Sequence, residues 1–350
     1  MKIMFVDNSI DGHHLEYLRH LAGSKEYESI AILPDRVEEL SVKQICYPHL
    51  DLKKKKVGEY LKWIKALQKI AVNEQVDIVH FLDGDSIMRY FGFGFERFKT
   101  FKTVITYHHL FPGKLREWSI KHTLRKVSMA VVHTEEIAEK IKEYGCKNVR
   151  CIEYPCFLER KGTKVSRKNA AKTLLALGGT RYDKGLDILL EALKAVKEDF
   201  RLLIAGREET FTYDYIKKEI KSYEEKVDLR LKYLSDEEVE ECLDEADIIV
   251  LPYRKEFDGA SGPMCEGVFL GKIIIGPEHG SLGSLIQKKH VGVTFRSEDK
   301  DDLSECITRV LQQGFQYDSV ACEYQQTLDP KLFMKKHGLL YMELMNGKEI

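Results

Sequence analysis

Arg181 and Lys184 stand three residues apart in the segment LALGGTRYDKGLDILLEAL, where Gly178 and Gly179 precede them and an amphipathic run follows. A guanidinium binds oxyanions as a planar fork and an ammonium binds them as a point charge, so this pair on a glycine-bearing loop suits a diphosphate. Two solvated surface charges are the plain alternative. Further on, EFDGASGPMCEGVFLGKIIIG reads as a loop from Asp258 feeding a helix, with Ser261 and Gly262 as the cap, Pro263 at the first helical position and Glu266 in the first turn. Main-chain N–H groups at such a start hold phosphate or sugar oxygens, and a carboxylate beside them accepts a vicinal diol. A glutamate in a first turn also complements the helix dipole with no ligand at all.

Four more segments carry chemical groups. Asp11-Gly12-His13-His14 opens the helix-like run LEYLRHLA, and Gly12 there allows close approach of main chain to an anion. The glycines of a dinucleotide-binding fingerprint are otherwise missing. His108 and His109 follow the run TVITY, where an imidazole donates to or accepts from a substrate, or serves the loop itself. Asp83-Gly84-Asp85 has the spacing of a divalent-cation ligand pair, with capping of the next helix by Asp85-Ser86 as the alternative. Lys53 to Lys56, with Trp63 and Trp118 on the basic helices beyond, fits an anionic bilayer surface or an ordinary solvated face.

These groups need elements to hold them. Short β-branched runs alternate with helical patterns: KIMFV, SIAIL, DIVHF, TVITY, MAVVH and VRCIEY, then TLLALG, RLLIAG, DLRLKYL, DIIVLPY and KIIIGP. Runs this apolar, separated by segments such as LDILLEALKAV, mark strands covered on both faces, hence βαβ units and parallel sheets. The class is α/β, doubly wound twice. A polar basic stretch between Phe157 and Lys172 lacks apolar periodicity and marks a boundary. This divides the chain into a first domain over 1–160, a linker over 161–171, a second domain over 172–330 and a closing helix over 331–350.

Composition sets outer limits. The 350 residues suffice for two domains with cores of their own. Lys plus Arg number 55 against 56 for Asp plus Glu, a net charge of −1, with 43% hydrophobic residues, which argues against a nucleic-acid-binding or disordered chain. Residues 1–160 carry 26 basic and 22 acidic side chains, so the first half is mildly basic. The eight cysteines form no C-x-x-C pair and sit mostly in apolar stretches, as expected of reduced packing residues in the cytoplasm. The apolar run before Asp7 is too short for a signal-peptide core, and no apolar run reaches membrane-spanning length.

In order, LALGGTRYDKGLDILLEAL, RLLIAG, EADIIVLPY, the Asp258 to Glu266 loop and LGKIIIGPEHGSL resemble the C-terminal domain of family 4 of the retaining, GT-B-fold glycosyltransferases, the glycosyl transferases group 1. The first half is similar more loosely, through DIVHFLD, VITYHH and VVHTEEIAEKIKEYG. The resemblance implies two Rossmann-like domains facing a central cleft and transfer of a hexosyl group, with retention, from a nucleotide-diphosphate sugar, UDP or GDP in the first instance. Arg181 and Lys184 then bind the diphosphate, Glu266 accepts the ribose hydroxyls, and main chain near Tyr233 and Leu234 holds the base. Ser261 and Gly262 lie at the donor-facing helix start, Gly12 faces the donor phosphate, and His108 lies near the transferred sugar. The implied chemistry needs neither metal nor other cofactor, and the acceptor is a saccharide or glycolipid of the cell surface, met in the cytoplasm or on the membrane's inner face. The final helix returns to the first domain. One departure concerns the family's E-x7-E loop, whose first position here is Asp258, a shorter carboxylate in a catalytic place. A nucleotide-sugar epimerase of the same fold and a catalytically inactive nucleotide-sugar-binding protein are the two other readings.

Overall fold

The structure, a computed structural model, describes the chain except residues 11–12, 48–55, 111–112, 159–170, 258–260 and 348–350, and the side chains of residues 13, 88 and 89. Gly12, Asp258, Lys53 to Lys55 and the expected linker, save Ala171, therefore lie outside the described residues. The chain forms two compact units: residues 1–154 with 330–350, and residues 155–329.

The first unit holds β1 (Lys2–Val6), β2 (Glu28–Leu33), β3 (Lys43–Cys46), β4 (Ile78–Phe81), β5 (Lys102–Tyr107), β6 (Met129–Val132) and β7 (Val149–Cys151). Its helices are α1 (His13–Ala22), α2 (Val57–Asn73), α3 (Gly84–Phe91), α4 (Lys114–Leu124) and α5 (Glu135–Glu143). The second unit holds β8 (Lys172–Leu177), β9 (Phe200–Ala205), β10 (Val227–Arg230), β11 (Ile248–Val250), β12 (Ile273–Pro277) and β13 (Gly292–Phe295). Its helices are α6 (Leu186–Leu193), α7 (Tyr213–Glu219), α8 (Asp236–Glu245), α9 (Gly262–Phe269), α10 (Gly280–Lys289), α11 (Lys300–Gln313) and α12 (Ser319–Thr327), and α13 (Pro330–Met345) rejoins the first unit.

Each sheet is parallel throughout. The orders are β3-β2-β1-β4-β5-β6-β7 and β10-β9-β8-β11-β12-β13. The inner strands are mostly buried, and the IVHF of β4, the MAVV of β6 and the IIV of β11 along their whole length, because βα crossovers cover both sheet faces. In both sheets the order reverses next to the first strand, between β1 and β4 and between β8 and β11. That reversal opens a crevice at the carboxyl ends of the two strands, the place where this architecture binds ligands.

The strand-like runs all form strands, and the structure adds β3 and β13, each at a sheet edge. Trp63, expected on a bilayer-facing helix, is instead a core residue at 3% exposure on the buried face of α2, whereas Trp118 on α4 is 44% exposed. The periodicity of YLKWIKALQKI puts Tyr60, Trp63, Ile64 and Leu67 on one stripe, and an apolar stripe buries itself. The eight cysteines are thiols, and five of them are buried. Among the described residues no helix is long and apolar enough to cross a membrane.

A polar network fixes α13 to the first sheet. His80 of β4 hydrogen-bonds through Nδ1 to Tyr341 Oη at 2.7 Å and through Nε2 to Thr106 Oγ1 at 2.8 Å. The ring of Tyr17 on α1 meets Phe333 and His337 of α13 edge-on. Desolvation holds these imidazoles neutral: His80 falls well below the usual range and His337 to about 3.

Candidate functional site

In the second unit, the groups proposed for donor binding gather at the β8/β11 reversal. Lys184 lies in a short 3-10 turn, Tyr182–Lys184, between β8 and α6. Its Nζ sits 3.8 Å from the ring centre of Tyr253 and 4.2 Å from that of Phe257, so two aromatic faces hold the ammonium without neutralising it. Arg181, half exposed, makes a fork with Asp183 at 2.9 and 2.7 Å. The Asp183 carboxylate thus occupies one edge of the guanidinium. A small cavity beside the pair is lined by Gly178, Gly179, Lys184 and Tyr253.

The loop is rigidly placed. Gly185 has φ +62°, and a Cβ there would lie 2.0 Å from the carbonyl oxygen of Pro252, which follows β11 closely. Only glycine combines this left-handed turn with so close an approach. Arg254, 7% exposed, pins the loop from the other side. Its guanidinium pairs with Asp187 at 2.9 and 2.6 Å, donates to the Tyr182 carbonyl at 2.7 Å and stacks over the Tyr182 ring at 3.9 Å, while its main-chain N–H donates to the Asp183 carbonyl.

Tyr253 links the cations to α9. Its hydroxyl lies 3.3 Å from Ser261 Oγ, which caps α9 by accepting from the Met264 N–H. With α9 beginning at Gly262, Glu266 falls just past the first turn, so the helix-dipole explanation offered for it does not apply. Burial pushes the Glu266 carboxyl up to about 7, and repulsion from Asp236, the first residue of α8, adds to this. Leu234 and Tyr233 immediately precede the Ser235 cap of α8, and Tyr233 is 79% exposed. Arg181, Lys184, Ser261, Gly262 and Glu266 are therefore connected through Tyr253 and α9, with the Tyr233-Leu234 segment at the start of the helix whose Asp236 faces Glu266.

In the first unit a second cluster gathers at the β1/β4 reversal. Asp7, one residue past β1, pairs with His14 Nδ1 at 3.1 Å, and burial pushes its carboxyl above the ordinary range against the pull of His14. The Asp83-Gly84-Asp85 motif has a different use from the paired ligation considered above. Asp83 caps α3, accepting from the Ser86 N–H and from its hydroxyl. Asp85 accepts the main-chain N–H groups of His108 at 3.0 Å and His109 at 2.7 Å, which fixes the loop after β5. Gly84 between them sits against β5, where a Cβ would lie 2.7 Å from the Thr106 carbonyl oxygen.

His108 is buried, and its Nε2–H donates to the Leu82 carbonyl at 3.0 Å. Its ring packs 4.9 Å from that of His133, which follows β6, and both approach Tyr17 and Tyr154. His133 donates from Nδ1 to the Ile152 carbonyl, and its buried Nε2 has no partner among the described residues. Tyr253, Arg254 and His133 were not singled out in the sequence; the signal available for each was its place just after an apolar strand run.

Two reversed-order parallel sheets, each with polar groups at its reversal, define the GT-B fold, and the solved structures agree. HepE of Anabaena in complex with UDP superimposes with a TM-score of 0.76 at 14% identity, over 98% of this chain and 100% of that one. The lipopolysaccharide outer core galactosyltransferase WaaB gives 0.72 at 14% identity over all of both chains. A putative UDP-N-acetylglucosamine 2-epimerase of Listeria monocytogenes gives 0.67 at 12%, over 100% of this chain and 97% of that one. At such identities the likeness is one of fold. Residues 171–313, within the second unit, match the family model described as Glycosyl transferases group 1. No curated protein matches the chain in sequence.

Proposed function

We propose that this protein is a retaining hexosyltransferase that takes its sugar from a nucleotide-diphosphate donor, UDP- or GDP-linked, and passes it to a saccharide or glycolipid in cell-surface polysaccharide or glycolipid synthesis. The observation that carries this reading is the Arg181–Lys184 pair at the strand-order reversal of a group 1 glycosyl transferase domain. As the bond from the sugar to the diphosphate breaks, negative charge grows on the leaving oxygen. The guanidinium, the ammonium and the N–H groups at the start of α9 meet that charge, and preorganised donors of this kind contribute roughly 3 to 4 kcal/mol each without a metal. HepE bound to UDP and WaaB acting on lipopolysaccharide support the donor and acceptor classes.

The reading places the protein on the cytoplasmic side, with the first unit at the membrane's inner face. Leu115, Trp118 and Phe93 are exposed together there, with the Phe93 and Trp118 rings 5.0 Å apart and Lys114 and Lys121 on the same helix as Trp118. Incubating the protein with UDP- and GDP-hexoses, free saccharides and glycolipid in anionic vesicles tests the whole reading by mass spectrometry of products. A hexosylated acceptor is expected. Release of an altered sugar or nucleotide-sugar without an acceptor would indicate the epimerase reading. Nucleotide binding with no turnover of any kind would indicate an inactive binding protein.

Glu266 gives the donor site a pH signature. Its carboxylate accepts both ribose hydroxyls, whereas the protonated form offers a poorer acceptor set. With the group at about 7, donor affinity should rise as pH increases from roughly 6 to 8. A nucleotide-sugar is the right probe, because its diphosphate diester keeps its charge across this range. Calorimetric titration of the wild type should show the rise, and Glu266→Gln should bind more weakly and flatten it. An equally steep profile in the variant would remove Glu266 from the ribose site.

A further inference from the structure

We propose that Asp7, His14 and Asp83 form a binding site for a divalent transition-metal ion, Mn²⁺ or Zn²⁺, in the first unit. One ligand atom from each of the three side chains lies within 4.8 Å of the others. The carboxylates come from neighbouring parallel strands: β1 and β4 pair with Val6 opposite Phe81, and Asp7 and Asp83 follow one and two residues later. Both are almost fully buried, at 4% and 7% exposure. The site therefore occupies the crevice where the strand order reverses, the ligand position of this architecture.

The charge balance there calls for a cation. Among the described residues, these two carboxylates share a desolvated space with the imidazole of His14, which neutralises one of them at most. A buried charge is met by pairing, by metal coordination or by uptake of a proton, and a bound cation is what would keep both carboxylates ionised here. Neither carboxylate is used up by its present contacts. Asp7 accepts from the Ser9 N–H and His14, and Asp83 from Ser86, while each carboxylate oxygen has two lone pairs. Asp85 and His108 lie nearby but are committed to main chain on the same β4 and β5 loops.

Two oxygens and one imidazole nitrogen form a mixed set that suits Mn²⁺ or Zn²⁺ rather than a soft thiophilic ion. Bonds of about 2.0–2.2 Å require the ligand atoms to draw slightly closer, which side-chain rotation supplies. Three protein ligands leave coordination positions for water or for a hydroxyl or oxyanion of a bound molecule. The site belongs to the first unit and not to the cationic loop of the second, so it stands or falls separately from donor binding.

The test uses the full chain, stripped with EDTA and dialysed, titrated with Mn²⁺ while the free-ion EPR signal is followed, then with Zn²⁺ as competitor. One ion per chain is expected. His14→Ala, and His14→Gln as a variant that keeps bulk on α1, should weaken it at least ~10-fold, as should Asp83→Asn, which retains an oxygen to cap α3. Asp35→Asn, at an exposed position, should bind as the wild type does. Circular dichroism confirms that each variant is folded. Absence of stoichiometric binding by the wild type would overturn the proposal, as would binding that survives the His14 and Asp83 substitutions in folded protein.

Discussion

Replacing Arg181 or Lys184 with alanine is expected to lower turnover at least ~100-fold, because in the proposed function each variant lacks a charged donor to the leaving diphosphate. The two variants should differ in kind. Arg181 is half exposed and, among the described residues, paired with its own loop neighbour Asp183, so its removal should leave the fold intact and release a carboxylate into the site. Lys184 packs on Tyr253 and Phe257, so its loss also frees Tyr253, which touches the Ser261 cap of α9. Arg181→Lys should recover little, since the ammonium lacks the planar fork. Steady-state turnover with the preferred donor decides the matter, and wild-type rates in both alanine variants would sink the assignment.

Gly185→Ala should have a large effect for a single methyl group. The left-handed conformation costs an alanine roughly 1–2 kcal/mol. The clash is the heavier part, because the new Cβ would lie 2.0 Å from Pro252 main-chain oxygen, and main chain cannot rotate aside as a side chain can. Relief requires separating the loop after β8 from the segment after β11, which also holds Tyr253 and Arg254. A loss on the order of 3 kcal/mol, or about 6–12 °C in melting midpoint for a domain of this size, is expected. Nucleotide affinity measured below that midpoint should fall at least ~10-fold, because Lys184 moves with its neighbour. An unchanged midpoint would mean that the loop tolerates the methyl group and does not fix the ammonium.

The fold was legible where physics leaves a local trace. Strands buried on both faces read as continuous apolar runs, so KIMFV, DIVHF, RLLIAG and KIIIGP announced themselves. The two that did not, KQIC and GVTF, are edge strands with partly exposed side chains and little apolar contrast with a loop. Trp63 and Trp118 looked alike within basic segments, yet the first lies on a buried stripe and the second on an exposed face, a distinction set by helix phase rather than by neighbours' charge.

The site was legible in its charged groups and illegible in their supports. Arg181, Lys184 and Glu266, to which the proposed function assigns donor binding, stand in recognisable segments. Tyr253 and Arg254 lie far along the chain from the loop they hold, and only the pairing of β8 with β11 brings them to it. Likewise Asp83-Gly84-Asp85 suggested one paired site, but the turn at Gly84 sends the two carboxylates to different tasks.

The central claim is that the second unit binds a nucleotide-diphosphate sugar through Arg181 and Lys184. Thermal-shift measurements with UDP, GDP, ADP and their sugars, in EDTA, on wild type and Arg181→Ala, address it most directly. A ligand at about 100 times its dissociation constant adds about 2.7 kcal/mol, enough to raise the midpoint by several degrees. One nucleotide is expected to stabilise the wild type without metal and to lose that effect in the variant, which also identifies the base. Failure of every nucleotide to stabilise the wild type, stabilisation that requires a divalent cation, or an equal shift in Arg181→Ala would contradict the account.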